Sequence, residues 1–552
     1  IYERLNRDET PVRRATGPDG QPVVVQVQLD SRQVDVEVWH VQVGRTNIYL
    51  MDTDIESNAP WDRELTARLY GGDRETRIQQ EVILGIGGVR VLRALGIDPA
   101  VWHLNEGHSA FLVLERLREL VEAGMSFDQA REVVRQTTIF TTHTPVPAGH
   151  DTFPFHLMEK YFWHLWPALG LSREEFMALG KYDQGWGPAF NMTVLALRMA
   201  GRSNAVSKLH GRVSRRMWQG VWPDRSEDEV PIISITNGVH VSTWVANAIG
   251  RLYNKYLGPD WVDRHDDPTI WERVLDIPDE ELWAVRQQLK RKLMSLIREQ
   301  ARRRWMRGEM APDQVLTTGT FLDPEALTIG FARRFATYKR ATLIFRDPER
   351  LKRILHDPYR PVQIIFAGKA HPADDAGKHL IQQVYNYAKD PSFGGRIAFL
   401  EEYNMHIAHY MVQGVDVWLN NPRRPHEASG TSGQKAALNG VPNLSILDGW
   451  WDEGYNGING WAIGDGREME DETAQDDYDA EALYRVLEEE VVPLYYKRDT
   501  DDIPRAWLRV VKEAIRSVAP IFCTRRMVKE YTDKLYIPAV RKAMTLDLKK
   551  SQ

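Results

Sequence analysis

The sequence predicts an α/β protein of at least two domains, and three observations carry that prediction. The 552-residue chain is too long to enclose a single core. Short apolar, β-branched runs at 327–331, 362–367, 396–400, 415–419 and 443–447 recur through the second half, with helical segments between them. That alternation is what a parallel sheet covered by helices produces. Polar groups then cluster directly after these runs, at Arg333-Arg334, Gly368-Lys369, Glu401 to Tyr403 and beyond Asn420. The carboxyl ends of parallel strands are where such sheets bind ligands.

Taken in order, the first fifty residues read as strands. Residues 23–27 and 34–39 alternate or run apolar, and 47–51 ends in the polar turn 52–58. Helical periodicity starts at Asp62, with 74–95 as one long helix closed by Gly96. A short strand at 101–104 opens into Asn105-Glu106-Gly107-His108 and a helix through Leu120. Residues 139–141 lead into the Pro/Gly loop 144–149, 191–218 reads as helix, and 232–235 is a strand running into Asn237-Gly238. A second half begins near residue 246. There 279–301 places Leu282, Val285, Leu289, Leu293 and Leu296 on one helical face. The acidic, apolar-poor stretch 465–479 reads as a solvated surface loop, and helical pattern resumes over 482–494. There is no internal repeat.

Composition narrows the function. Hydrophobic residues at 43% and charged residues at 27% are ordinary for a globular protein. A net charge of -6, with no basic tail or arginine-rich strip, argues against nucleic acid or an anionic membrane as partner. No run approaches the length of a membrane span. The single cysteine, Cys523, excludes an internal disulfide and a CxxC metal site, so no metal is expected. It also fits a reducing compartment, and the expected location is the cytoplasm. The 18 Trp and 20 Tyr are mostly core material, although sugar faces stack on the same rings.

The chemistry concentrates in Glu427-Ala428-Ser429-Gly430-Thr431-Ser432-Gly433-Gln434-Lys435, followed by helical Ala436-Ala437-Leu438. Small hydroxyl-bearing residues opening a helix expose backbone N–H groups to an anion. A lysine one turn into that helix reaches what the loop holds, and burial would lower its pKa toward Schiff-base chemistry. The spacing alone equally suits a plain anion-binding loop. A second cluster, Gly330-Phe331-Ala332-Arg333-Arg334-Phe335-Ala336-Thr337-Tyr338-Lys339-Arg340, sets fixed cations after a strand. A solvated basic helix start is the ordinary fate of such a run. Arginine forks beside a strand end are also what two neighbouring phosphates require.

The first segment resembles the pyridoxal-phosphate segment of the glycogen and maltodextrin phosphorylases, the α-glucan phosphorylase family. Ser432-Gly433 resembles the bacterial branch rather than the animal enzymes. The second resembles the phosphate-binding element of that family. Asn105-Glu106-Gly107-His108, Thr141-Thr142-His143-Thr144, Thr236-Asn237-Gly238-Val239, residues 203–210 and Phe399-Leu400-Glu401-Glu402-Tyr403 also match family segments. Glu106 stands where other members have aspartate, Arg333 where many have lysine, and Asn404 where some have arginine. The resemblance runs from about Asp62 to about Tyr536.

The resemblance implies two Rossmann-like domains facing a cleft, the GT-B glycosyltransferase architecture, with the N-terminal domain incomplete. Its divisions would be 1–245, a truncated glucan-binding domain, then 246–525, the pyridoxal-phosphate domain. The helix in 526–552 would pack back on the first domain. It implies pyridoxal 5′-phosphate on Lys435, contacted by Arg333, Tyr403, Thr431 and Ser432. Catalysis would rest on Lys435, Arg334, Lys339 and Glu427. Glucan would be held by His143, Asn237, Tyr338, Ser429, Gly430, Glu106 and His108. The reaction implied is phosphorolysis of α-1,4-glucan by inorganic phosphate, giving glucose 1-phosphate with retention. A homodimer is the oligomer common in the family. The glycine-rich loop that lies over the cofactor phosphate in the family is not found: neither Gly71-Gly72 nor Gly85 to Gly88 supplies it, and Ile1 starts within an α/β pattern. The expectation is therefore that the natural protein is longer, or that this chain is impaired.

Two rival readings stay open at this level. A nucleotide-sugar glycan synthase would share the architecture, but has no use for Lys435 in its hydroxyl-rich loop. A non-catalytic glucan-binding protein or inactive fragment is the other. An aminotransferase fits poorly, because no arginine and aspartate partners for a cofactor ring stand at recognisable spacing.

Overall fold

The computed structural model describes residues 6–68 and 72–550; Ile1 and Gly71 lie outside the described residues. The chain forms a mixed α/β structure and divides into two compact units. The first comprises Ile1–Ala205, Gly211–Ile233 and Tyr531–Gln552, the second Val206–His210 and Ser234–Glu530.

The first unit opens with an antiparallel sheet of β1 (Arg13–Arg14), β2 (Val24–Leu29), β3 (Arg32–Val43) and β4 (Thr46–Asp52). Alternation sets its inner face: Val25, Val27 and Leu29 are buried beside Val36, Val34 and Val38. The long helix read from 74 to 95 forms as α1 (Arg74–Val82) and α2 (Gly88–Ala94) with a wide turn, Ile83–Gly87, between them. Asp73 caps its start through Thr76 N. The irregularity follows from Gly85, where a Cβ would lie 2.7 Å from the backbone nitrogen of Leu112. The glycine lets α1 and α2 press against α3 (Leu112–Glu122).

Behind these helices β5 (Trp102–Asn105) and β6 (Thr138–Thr141) begin a parallel sheet. A small antiparallel sheet follows, of β7 (Thr152–Phe153), β8 (Lys181–Asp183) and β9 (Pro188–Asn191). The stretch 191–218, read as one helix, contains instead β10 (Arg202–Ala205), which pairs in parallel with β6. Periodicity missed it because the strand is polar and short. Gly201 allows the break: a Cβ there would stand 2.6 Å from the Arg135 carbonyl. With β11 (Ile232–Ser234) the order is β11-β10-β6-β5.

In the second unit, α4 (Asp279–Met306) precedes six strands that are all parallel. They are β12 (Leu327–Ala332), β13 (Val362–Ala367), β14 (Ile397–Leu400), β15 (Val417–Asn420), β16 (Asn443–Ile446) and β17 (Gly460–Ile463). Their order, β14-β13-β12-β15-β16-β17, is that of a doubly wound sheet. Every residue of β12, β13, β14, β15 and β16 is buried, as strands covered on both faces must be. The order in which strands are added reverses between the parallel neighbours β12 and β15, where Gly330 pairs with Trp418. The loops after those two strands open side by side at this switch point.

Helix α5 (Ser432–Ala437) follows β15, and α6 (Glu472–Val486) follows β17. The second corrects the reading of 465–479 as a solvated loop. Its last eight residues are the first turns of α6, capped by Asp471, with Gln475 and Asp479 buried. Acidic composition misled because Arg340 and Arg423 neutralise these carboxylates. Among the described residues no helix is long and apolar enough to cross a membrane.

Candidate functional site

The switch point gathers the basic cluster. Arg333 follows β12 and is buried, donating from its two terminal nitrogens to Asn420 Oδ1 and Glu427 Oε2, while its Nε is buried with no partner. Lys339 Nζ lies 3.8 Å from the same Glu427 oxygen. Arg334, one residue on, is exposed and makes no hydrogen bond or ion pair among the described residues. Tyr338 is half-buried, its carbonyl accepting from Arg423 N at 2.6 Å.

Charge at this cluster does not balance. Burial works to raise the Glu427 carboxyl, but Arg333 and Lys339 outweigh it and hold the group below the usual carboxylate range. Burial, with the charge of Arg333, pushes Lys339 down to about 8. Asp448, which accepts from Glu427 N at 2.9 Å and Gly449 N at 2.8 Å, is raised well above its ordinary value by burial. Arg333 and Lys339 therefore face one ionised carboxylate, with the exposed Arg334 next to them in the chain, and the surplus of positive charge calls for an anion.

The loop from Glu427 to Lys435 is pinned on all sides. Gly449, at φ +56, passes so close that a Cβ would stand 2.3 Å from the Ser429 carbonyl, which accepts from Trp450 N at 2.8 Å. A Cβ on Gly433 would stand 2.2 Å from Asn443 Oδ1. Gly430 adopts φ +82 beside Glu427, and Trp418 Nε1 donates to Ser432 Oγ at 3.1 Å. Thr431 is half-buried at the start of α5, and Ser429 Oγ is buried with no partner. Lys435 Nζ stands 3.9 Å from the centre of the Trp244 ring, without hydrogen bond or ion pair among the described residues, and burial lowers its pKa. Tyr403, half-buried after β14, has its phenol raised by burial.

Two further segments close on this loop. The Asn237 carbonyl accepts from Gln434 Nε2 at 3.0 Å, and Gly238 packs so tightly on Cys523 that a Cβ would stand 2.3 Å from its backbone. Ser207 Oγ donates to the Ala428 carbonyl at 2.7 Å.

The remaining sequence-derived residues lie in the first unit, at the ends of β5 and β6. Glu106, at φ 67, accepts from His143 N and from Thr144 Oγ1 at 2.9 Å; burial raises its carboxyl. His143 Nε2 lies 2.6 Å from Asn105 Oδ1, and burial lowers its ring to about 4, so it is neutral at pH 7. His108 joins a different network. Its Nδ1 lies 2.9 Å from Asp151 Oδ2 and 3.6 Å from Glu81 Oε1, and these partners raise it to about 9. Burial raises Glu81 to about 8. Glu81, His108 and Asp151 have the types and spacing of metal ligands. Arg77 already occupies their centre, one terminal nitrogen lying 3.0, 3.2 and 2.7 Å from the three.

Within the second unit the structure thus unites Arg333, Arg334, Tyr338, Lys339 and Glu427, then Ser429 to Lys435 with Asn237. Within the first it unites Glu106 with His143 and sets His108 apart from them. Sequence reasoning missed Trp244, Asn420, Asp448 and the Arg77-Glu81-Asp151 network. Trp244 stands seven residues beyond Asn237, and the signal for it was an aromatic close after a loop already singled out. The others carry no local pattern.

Comparison with known proteins agrees with this geometry. A profile described as carbohydrate phosphorylase matches residues 94–453. The chain is 48% identical to the glycogen phosphorylase of Aquifex aeolicus, over 95% of this chain and 75% of that protein. It is 49% identical to the maltodextrin phosphorylase of Thermococcus litoralis, over 99% of this chain and 64% of that protein. It is 46% identical to the glycogen phosphorylase of Mycobacterium tuberculosis, over 98% of this chain and 64% of that protein. The chain thus spans between about two thirds and three quarters of the length of these relatives. With the profile across most of its length and identity near one half, the chain belongs to the carbohydrate phosphorylase family.

Proposed function

We propose that this protein is an α-1,4-glucan phosphorylase of GT-B architecture, acting in the cytoplasm. It would transfer the terminal glucosyl unit of glycogen or maltodextrin to inorganic phosphate, giving glucose 1-phosphate with retention. One observation carries the reading: Arg333 and Lys339, beside the exposed Arg334, face the ionised carboxylate of Glu427 at the sheet's switch point, and Glu427 opens the loop of a lysine that has no ion pair among the described residues.

The residues present suit pyridoxal 5′-phosphate. Lys435 has a lowered pKa and no ion-pair partner among the described residues, and the flat Trp244 ring stands beside it. Two buried polar atoms, Arg333 Nε and Ser429 Oγ, lack partners, and a buried polar atom is costly until something satisfies it. We assign Lys435 to covalent attachment, and Arg333, Tyr403, Thr431 and Ser432 to holding the group. When bound, it supplies a phosphate that supports proton transfer in the reaction.

The chain's own residues do the rest. Arg334, without a hydrogen bond or ion pair among the described residues, offers its guanidinium fork to the substrate phosphate, and Lys339 adds a charge next to it. Arg333 keeps Glu427 ionised and in place. His143, neutral, can donate or accept at a sugar hydroxyl; we assign it to glucan binding with Glu106, His108, Asn237, Tyr338, Ser429 and Gly430. Preorganised charge and positioning would carry most of the rate.

The test has two readouts. Maltodextrin and phosphate should yield glucose 1-phosphate, and borohydride reduction with peptide mapping should place a pyridoxyl mass on Lys435. Lys435→Ala should lose both. A pyridoxyl mass on another lysine, or none, would overturn the assignment.

A further inference from the structure

We propose that Arg340, held by Asp476 and Asp479 of α6, is a positioning residue that locks the phosphate-binding turn onto the loop leading to Glu427. The inference rests on the phosphate site proposed above. Arg340 directly follows Lys339, is 4% exposed, and adopts φ 47, a region unfavourable for a residue with a side chain. Its Nε donates to the Asn421 carbonyl at 3.0 Å and one terminal nitrogen to the Pro422 carbonyl at 2.7 Å. The other terminal nitrogen reaches Asp476 Oδ1 at 2.9 Å and lies 2.8 Å from Asp479 Oδ2. Asn421 Nδ2 returns a bond to the Arg340 carbonyl at 3.2 Å.

Arg423 repeats the stitch in the opposite sense. Its backbone nitrogen donates to the Tyr338 carbonyl at 2.6 Å, and its side chain meets Asp476 Oδ2 and Glu472 Oε2, each at 2.9 Å. The two strand-end loops that carry Lys339 and Glu427 are thereby tied through one acidic face of α6. A planar guanidinium hydrogen-bonds three acceptors in different directions and ion-pairs with the carboxylate of Asp479, which a lysine ammonium cannot do. A buried ion pair serving stability alone would not need to bridge both loops that carry the cation cluster. This arrangement gives the acidic run of the sequence a role: it sets where Tyr338, Lys339 and Glu427 stand.

The test uses the full chain with Asp476→Asn and Arg340→Lys. Inorganic phosphate binding is measured by calorimetry, and KM is measured separately for phosphate and maltodextrin. Both variants should weaken phosphate about tenfold, the scale of a small misplacement of a binding group, while the maltodextrin KM stays within about twofold. Asp476→Asn keeps a carbonyl acceptor at this half-buried position and leaves Asp479 beside Arg340, so it is the milder variant; phosphate affinity of its folded fraction decides the matter if Arg340→Lys folds poorly. Unchanged phosphate affinity, or equal rises in both KM values, would overturn the clamp alone. A wild-type chain that binds no phosphate would overturn the proposed function and the clamp with it.

Discussion

Lys435 Nζ sits 3.9 Å above the Trp244 ring, where an aromatic face rather than a carboxylate answers its charge. The ring excludes water from one side of the amine, and burial is what lowers the Lys435 pKa. Trp244→Ala should therefore loosen cofactor retention and let the Lys435 pKa rise toward its ordinary value. Titrating the cofactor-stripped protein with pyridoxal phosphate should show affinity reduced by up to about tenfold, with covalent attachment needing higher pH. Attachment as tight as in wild type would show that the ring is packing only.

Arg334 makes no hydrogen bond or ion pair among the described residues and stands beside two engaged cations, which sets up a clean substitution. Arg334→Ala should lower kcat/KM for phosphate by about 2 kcal/mol, the scale of a lost charge-assisted bond. The glucan KM should barely move. Parallel measurement of both KM values checks this, and equal changes would point to a general disturbance.

Lys339 makes phosphate use pH-dependent. Burial and the Arg333 charge bring its pKa down to about 8 before phosphate arrives, so raising the pH through that value removes a positive charge from the site. The KM for phosphate should climb above pH 8 in the wild type. In Lys339→Met it should start high and show no such climb. A wild-type profile flat to pH 9.5 would mean that Lys339 does not meet the anion.

The His108 network should make stability pH-dependent in the same direction. His108 is raised to about 9 and Glu81 to about 8, so the native state holds protons that the unfolded chain has released. The stabilisation His108 gains from Asp151 and Glu81 is complete below its ordinary pKa of about 6.5 and is lost as pH rises through about 9. Glu81, raised by burial from its ordinary value near 4.5 to about 8, adds a loss of stability that runs from about pH 4.5 to about pH 8. Thermal midpoints from pH 6 to 9.5 should fall more steeply in wild type than in His108→Gln. Parallel slopes would remove the network from the account.

Patterns of adjacent residues carried much of the fold and the 427–435 loop. Strand runs separated by helices announced the parallel sheet, because strands buried on both faces must be continuously apolar. The spacing from Glu427 to Lys435 and the Arg333-to-Lys339 cluster were legible because each is one short segment whose groups act together. Polar β10 was not legible: it is held by pairing with β6 rather than by its own side chains. Nor was the role of 472–479, since an acidic run looks solvated until Arg340 and Arg423 arrive from elsewhere in the chain.

The sequence by itself determined the apolar strands of the parallel sheet, the 427–435 and 330–340 segments and the family, because those depend on neighbours in the chain. Tertiary structure alone decided which charges meet. Arg333 lies 94 residues before Glu427, and Trp244 lies 191 before Lys435. Only the strand order, which reverses between β12 and β15, brings Arg333 onto Glu427. Pairing and burial then fix the charge states: Glu427 stays ionised, Lys339 is poised near neutrality, and Lys435 is left without a counterion among the described residues. Those states depend on desolvation and on distance in space, which the order of residues does not encode locally.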